Sequence, residues 1–94
     1  MYRIMIVEDD EVIARAVQQS LVSWGMDAFC VQDFSSVLAE FAVKNPQLVL
    51  MDIHLPFFNG FHWCQEIRKV SKVPVIFLSS ASDNMNIIMA VNMG

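Results

Sequence analysis

The run Leu48-Val49-Leu50-Met51, closed by Asp52, constrains the fold of this chain more than any other stretch. Four successive apolar residues leave no polar face, so the run reads as a strand buried on both sides, the mark of a parallel sheet. Pro56 and the pair Asn59-Gly60 then break the backbone into a loop. A carboxylate just past the carboxyl end of such a strand sits where open α/β sheets place their chemistry. Glu8-Asp9-Asp10 ends the first apolar run in the same way. Parallel strands present their carboxyl ends at one edge of the sheet, so the two acidic groups can meet there.

The remaining segments fit around those two strands. Residues 2–7 read as the first strand, and Asp10 as the N-cap of a helix over 11–24. In that helix Val12, Ile13, Ala16, Val17, Leu21 and Trp24 form the expected inward stripe, with Arg15, Gln18 and Gln19 outward. Gly25 stops it. Residues 26–31 resemble an edge strand. Asp33 is the expected cap of a second helix over 35–44, with Val37, Leu38, Phe41 and Ala42 inward and Asn45-Pro46 as its end. Phe61, Cys64 and Ile67 repeat at helical spacing over 60–69, and residues 74–78 form a fourth buried strand with Pro74 at its first position. A last helix is expected over 84–93, with Met85, Ile88, Met89 and Val91 as its apolar set. Strands alternating with helices in this way predict one α/β domain over 1–94, a doubly wound parallel sheet with right-handed crossovers.

Composition narrows the function. At 94 residues and 55% hydrophobic content, the chain exceeds the usual apolar share of about 45–50%. Some apolar surface is therefore expected to be covered by something outside these residues. No apolar run approaches the roughly 18–20 residues of a membrane span, and the start lacks a signal peptide's apolar core, so a cytoplasmic location is expected. A net charge of −4 argues against direct binding to a phosphate backbone. Cys30 and Cys64 read as buried free thiols, with no spacing suited to zinc.

Glu8, Asp9 and Asp52 together define an all-oxygen, anionic pocket. Carboxylates held close repel one another, and a hard divalent cation or a proton relieves the repulsion. Mg²⁺ suits such a site, because it accepts one or two carboxylates and a carbonyl and keeps water for a phosphoryl oxygen. The hydroxyl of Ser79 or Ser80, at the end of the fourth strand, is the candidate phosphate contact. An aspartate nucleophile, Mg²⁺ and a hydroxyl at the next strand end point to acyl-phosphate chemistry. The competing reading is that the three acids at 8–10 only cap and charge a helix N-terminus. A flavin or nucleotide site would need glycines and free N–H groups where this chain has acids.

Ile6-Val7-Glu8-Asp9-Asp10, Leu50-Met51-Asp52-Ile53-His54-Leu55-Pro56, Asn59-Gly60 and Pro74-Val75-Ile76-Phe77-Leu78-Ser79 together resemble the receiver domain of two-component response regulators, of the type found in winged-helix transcription regulators. The resemblance covers the whole chain and implies a flavodoxin-like receiver fold. It implies that Asp52 is the phosphoacceptor, taking a phosphoryl group from a phosphohistidine on a sensor histidine kinase. It makes Asp9 the direct Mg²⁺ ligand, Glu8 a ligand through water, and His54 a ligand through its backbone carbonyl. Ser79 matches the residue that hydrogen-bonds the new phosphoryl group and reports it, with Ser80 small beside it. The domain is then no enzyme, but an acceptor that takes part in its own phosphotransfer and dephosphorylation. DNA is contacted only through an output domain outside this chain.

The resemblance also implies a family lysine and switch aromatic on a fifth strand, neither matched here. On this reading the domain is incomplete at its C-terminus, lacking the fifth strand and helix. The fourth strand then has an open edge, and a homodimer formed through it is expected. An interaction module with a crippled, unphosphorylated site is the alternative. Phe57 and Phe58, beside the acidic loop, divide equally between a docking surface and local packing.

Overall fold

β1 (Arg3–Val7) lies inside the sheet because Ile4, Met5, Ile6 and Val7 are all buried and both of its edges are paired. The computed structural model describes residues 2–78 and the backbone of 89–91. The elements that follow are α1 (Glu11–Ser23), β2 (Asp27–Cys30), α2 (Val37–Lys44), β3 (Leu48–Asp52), α3 (Gly60–Arg68), β4 (Val75–Leu78) and β5 (Met89–Val91). The strand order is β2-β1-β3-β4-β5. The first four strands are parallel, as the alternation predicts, and β5 runs antiparallel to β4.

Two apolar clusters hold the layers together. The larger one packs Met5, Val7, Val49, Met51, Val75 and Phe77 from the sheet against Val37 and Phe41 of α2 and Trp63, Cys64 and Ile67 of α3. The smaller one seats α1 on Ile6 and Ala28 through Ala14, with Val17 and Leu21 alongside. Asp10 caps α1 as expected, its side chain accepting from the N–H groups of Val12 and Ile13. Gly25 ends the α1 region at φ +86, a backbone conformation that favours glycine.

Four expectations change. The inward side of α1 is Ala14, Val17 and Leu21, whereas Val12 (79% exposed), Ile13, Ala16 and Trp24 (70%) face solvent. Apolar residues extend over too much of this helix's circumference to mark one face. The small Ala14 decides the matter by allowing close approach to the sheet, and Gln18 turns inward to donate to the Ala28 carbonyl at 2.9 Å. In α2, Ala42 is exposed rather than inward, and Asp33 is not the cap. It accepts instead from the N–H and hydroxyl of Ser35, and the helix starts after Ser36. In α3, Phe61 is half exposed against Phe77, while Trp63 is buried.

The fourth change is at the sheet edge. Residues 89–91, expected in a helix, pair with Phe77, Ile76 and Val75 as an antiparallel strand. A short apolar set such as this cannot separate helix from strand by periodicity, and the free N–H and C=O groups along β4 supply the partners. The edge is therefore not open along Val75–Phe77, and the expected homodimer loses that route. Residues 84–88 and 92–93 of the expected helix lie outside the described residues.

Candidate functional site

The register of the sheet builds the site. β1 and β3 are neighbours, with Val7 opposite Met51, so the next residue on each strand brings Glu8 beside Asp52. Asp52 is 5% exposed and is the one buried charged residue among those described. Asp9, one residue further on, is exposed at the mouth. One carboxylate oxygen from each of Glu8, Asp9 and Asp52 lies within 4.8 Å of the others. The sequence's competing reading, acids that merely cap a helix, thus holds for Asp10 alone.

Three carboxylates at this spacing cannot all ionise cheaply, and the strain falls on Glu8. Burial pushes its pKa from 4.5 up to about 8, and the neighbouring Asp52 and Asp9 push the same way. The hydrogen bond from the Asp10 N–H to Glu8 Oε2, 3.2 Å long, opposes the shift without cancelling it. At neutral pH Glu8 therefore keeps a proton in the metal-free protein. A divalent cation would do the same work of neutralisation. The donor set is all oxygen and partly buried, which fits Mg²⁺ and excludes the soft-ligand metals.

The loop after β3 is tightly built. Phe57 has φ +68, and the Phe58 N–H donates to the Pro56 carbonyl at 2.8 Å, closing a three-residue turn of the strained kind. The turn leaves Phe57 76% exposed. Phe58 stacks on His62 with ring centroids 4.2 Å apart and meets the edge of Trp63 at 5.5 Å. Phe58 thus packs locally, and of the two alternatives for this pair the docking surface stays open only for Phe57. Asn59 caps α3 by accepting from the His62 N–H at 2.9 Å.

His54 follows Asp52 by two residues in this loop, with an exposed side chain. The ring of His62 stacks on Phe58 and meets the edge of Trp63. Ser79 and Ser80 lie outside the described residues. Beside the acids runs a groove of about 380 Å³, lined by Glu8, Asp9, Arg15, Gln18, Cys30 and Phe34 among others. The sequence gives no sign of that groove, because it forms between α1 and the chain after β2. Cys30 and Cys64 are free thiols; Cys64 is buried as expected, Cys30 only partly, and burial raises the pKa of both. No helix among the described residues is long and apolar enough to cross a membrane.

Known proteins share this fold. A family model described as the response regulator receiver domain matches residues 4–94. The chain is 43% identical over 94 residues to the sensory transduction protein BceR of Bacillus subtilis (strain 168), which covers 100% of this chain and 41% of BceR. It thus spans about two fifths of that relative's length. The N-terminal domain of the nisin resistance regulator NsrR, a lantibiotic response regulator, matches with a TM-score of 0.81 and 41% identity, over 93% of this chain and 74% of that one. The response regulator TrrA of Thermotoga maritima, solved with Mg²⁺ and BeF, matches with a TM-score of 0.79 and 29% identity, over 87% and 72%. TrrA solved in complex with the histidine kinase ThkA gives 0.78 and 29%, over 90% and 74%. With strand order, acidic edge and family model in agreement, the chain belongs to the receiver-domain family of two-component response regulators.

Proposed function

We propose that Asp52 accepts a phosphoryl group from a histidine kinase, in a site that Glu8 and Asp9 complete with Mg²⁺, and that the acyl phosphate switches an output. The observation that carries this reading is the meeting of three carboxylates within 4.8 Å around a buried Asp52. The TrrA structures support it, one holding Mg²⁺ with BeF and the other a histidine kinase.

Each residue has a task. An Asp52 carboxylate oxygen attacks the phosphorus of a phosphohistidine, the new O–P bond forms as the P–N bond breaks, and the imidazole leaves with the electron pair. Asp9, exposed at the mouth, would hold the cation directly, and Glu8, once it gives up its proton, would hold it through water. The backbone carbonyl of His54 supplies a further oxygen, and Ser79 hydrogen-bonds the phosphoryl group. Mg²⁺ held there would supply positive charge to offset the negative charge that develops on the transferring phosphoryl group. The reaction is stoichiometric at Asp52, so the domain acts as an acceptor rather than a turnover enzyme. The net charge of −4 fits DNA contact through an output domain rather than through these residues, and a histidine kinase partner fits a cytoplasmic setting.

Intact-mass spectrometry after treatment with a small-molecule phosphodonor tests the reading. One phosphate adduct is expected with Mg²⁺ and none in EDTA, and Asp52→Asn should lose it while keeping the fold. Labelling of Asp52→Asn at the wild-type level would overturn the assignment.

A further inference from the structure

The two described glycines differ in what they are for. Gly25 sits at φ +86 with nothing within 4 Å of where a Cβ would lie, so its role is conformational. Gly60 has no positive φ, and its backbone suits any residue. A Cβ there would clash with the backbone oxygen of Asp52 and would meet the Met51 Cγ at 2.9 Å and the Asp52 carbonyl carbon at 3.1 Å. Gly60 is buried, and its N–H donates to the Ile53 carbonyl at 2.9 Å.

We infer that Gly60 is a positioning residue for the acidic site: its bare Cα lets the first turn of α3 seat on the Asp52 carbonyl, and its N–H fixes Ile53. The inference rests on the proposal that Glu8, Asp9 and Asp52 hold Mg²⁺. Asp52 ends β3 opposite Leu78 of β4, and Met51 is wholly buried, so neither can step aside without disturbing the sheet. The backbone that would yield is Ile53 and the residue after it. That segment joins the Asp52 carboxylate to the His54 carbonyl, so a side chain at position 60 changes the spacing between two proposed metal contacts. Ordinary carbon–oxygen contact requires a shift of about 1 Å, and misplacement of that size at a reacting group costs on the order of a hundredfold in rate.

The test compares wild type, Gly60→Ala and Gly25→Ala in the full chain, at a temperature where circular dichroism shows each folded. Mg²⁺ affinity is read from tryptophan fluorescence, and acyl-phosphate formation from intact mass. Gly60→Ala is expected to weaken Mg²⁺ binding at least tenfold and slow labelling more than that. Gly25→Ala, destabilised through its backbone, should stay within twofold of wild type in affinity. Equal affinity and labelling in Gly60→Ala and wild type would overturn the inference. Should Gly60→Ala fail to fold, the amide resonance of Gly60 in the wild type decides: it should shift along the same Mg²⁺ titration curve as that of Asp9. A Gly60 amide unmoved at saturation would overturn it. Absence of Mg²⁺ binding by the wild type would instead remove the metal proposal, and this inference with it.

Discussion

The two ends of β1 hold charge in opposite ways. At its start, Arg3 is paired on every side: Nε donates to Asp27 Oδ2 at 2.8 Å, Nη1 donates to the Lys44 carbonyl at 2.8 Å, and the backbone N–H donates to Gln47 Oε1 at 2.9 Å. At its end, Glu8 and Asp9 face Asp52, and Glu8 keeps a proton to make the arrangement tolerable. One strand thus has a satisfied end and a conflicted one. Satisfied charge at the start ties β1 to β2 and to the α2–β3 connection. Conflict at the other end has no structural use, and a folded protein keeps it where a ligand resolves it.

Changes at the conflicted end should have the largest effects on ligand binding. Asp9→Ala is expected to weaken Mg²⁺ binding on the order of a hundredfold, and Glu8→Ala about tenfold, since Asp9 binds directly and Glu8 through water. Calorimetric Mg²⁺ titrations giving the two variants equal affinity would contradict those roles.

Acidity should sharpen the contrast next. Glu8 titrates near 4.5 when unfolded and at about 8 in the folded, metal-free protein, so between those values the folded state holds the extra proton. Its contribution to stability is therefore full below pH 4.5 and is lost as pH rises to about 8. Urea melts in EDTA should show the wild type losing more stability than Glu8→Gln between pH 5 and about 8. Parallel pH profiles would remove Glu8 as the source. Mg²⁺ affinity should climb over the same range, because the cation displaces that proton.

The satisfied end should give the smallest effect. Arg3→Ala removes an ion pair whose side chains are 45% and 42% exposed, so a loss of about 0.5–1 kcal/mol is expected, with Mg²⁺ affinity unchanged. A marked change in affinity from this distant substitution would break the division between the two ends.

The same division explains what the sequence made legible. The apolar run into Asp52 fixes a buried strand, and Asp10 reads as an N-cap, because both signals are local. The meeting of Glu8, Asp9 and Asp52 follows once the strands are parallel. The inward face of α1 is not local: Val12 and Ile13 are as apolar as Val17 and Leu21, and only Ala14 packing onto the sheet chooses between them. Nor is the strand at 89–91, whose partners lie on β4. Asn59-Gly60 reads as a turn signal, yet Gly60 is needed for space beside the Asp52 carbonyl, a contact that exists only after α3 is in place. The raised pKa of Glu8 likewise depends on burial that composition does not reveal.

The central claim is that the conflicted acids surround a phosphoacceptor. Borohydride reduces an aspartyl phosphate to homoserine, and tandem mass spectrometry then locates the modified residue. After incubation with phosphodonor and Mg²⁺, homoserine is predicted at position 52, with no homoserine at position 9 or 10 and no 5-hydroxynorvaline (the product from a glutamyl phosphate) at position 8. Modification at one of those acids, or none at position 52 under saturating Mg²⁺, would contradict the account.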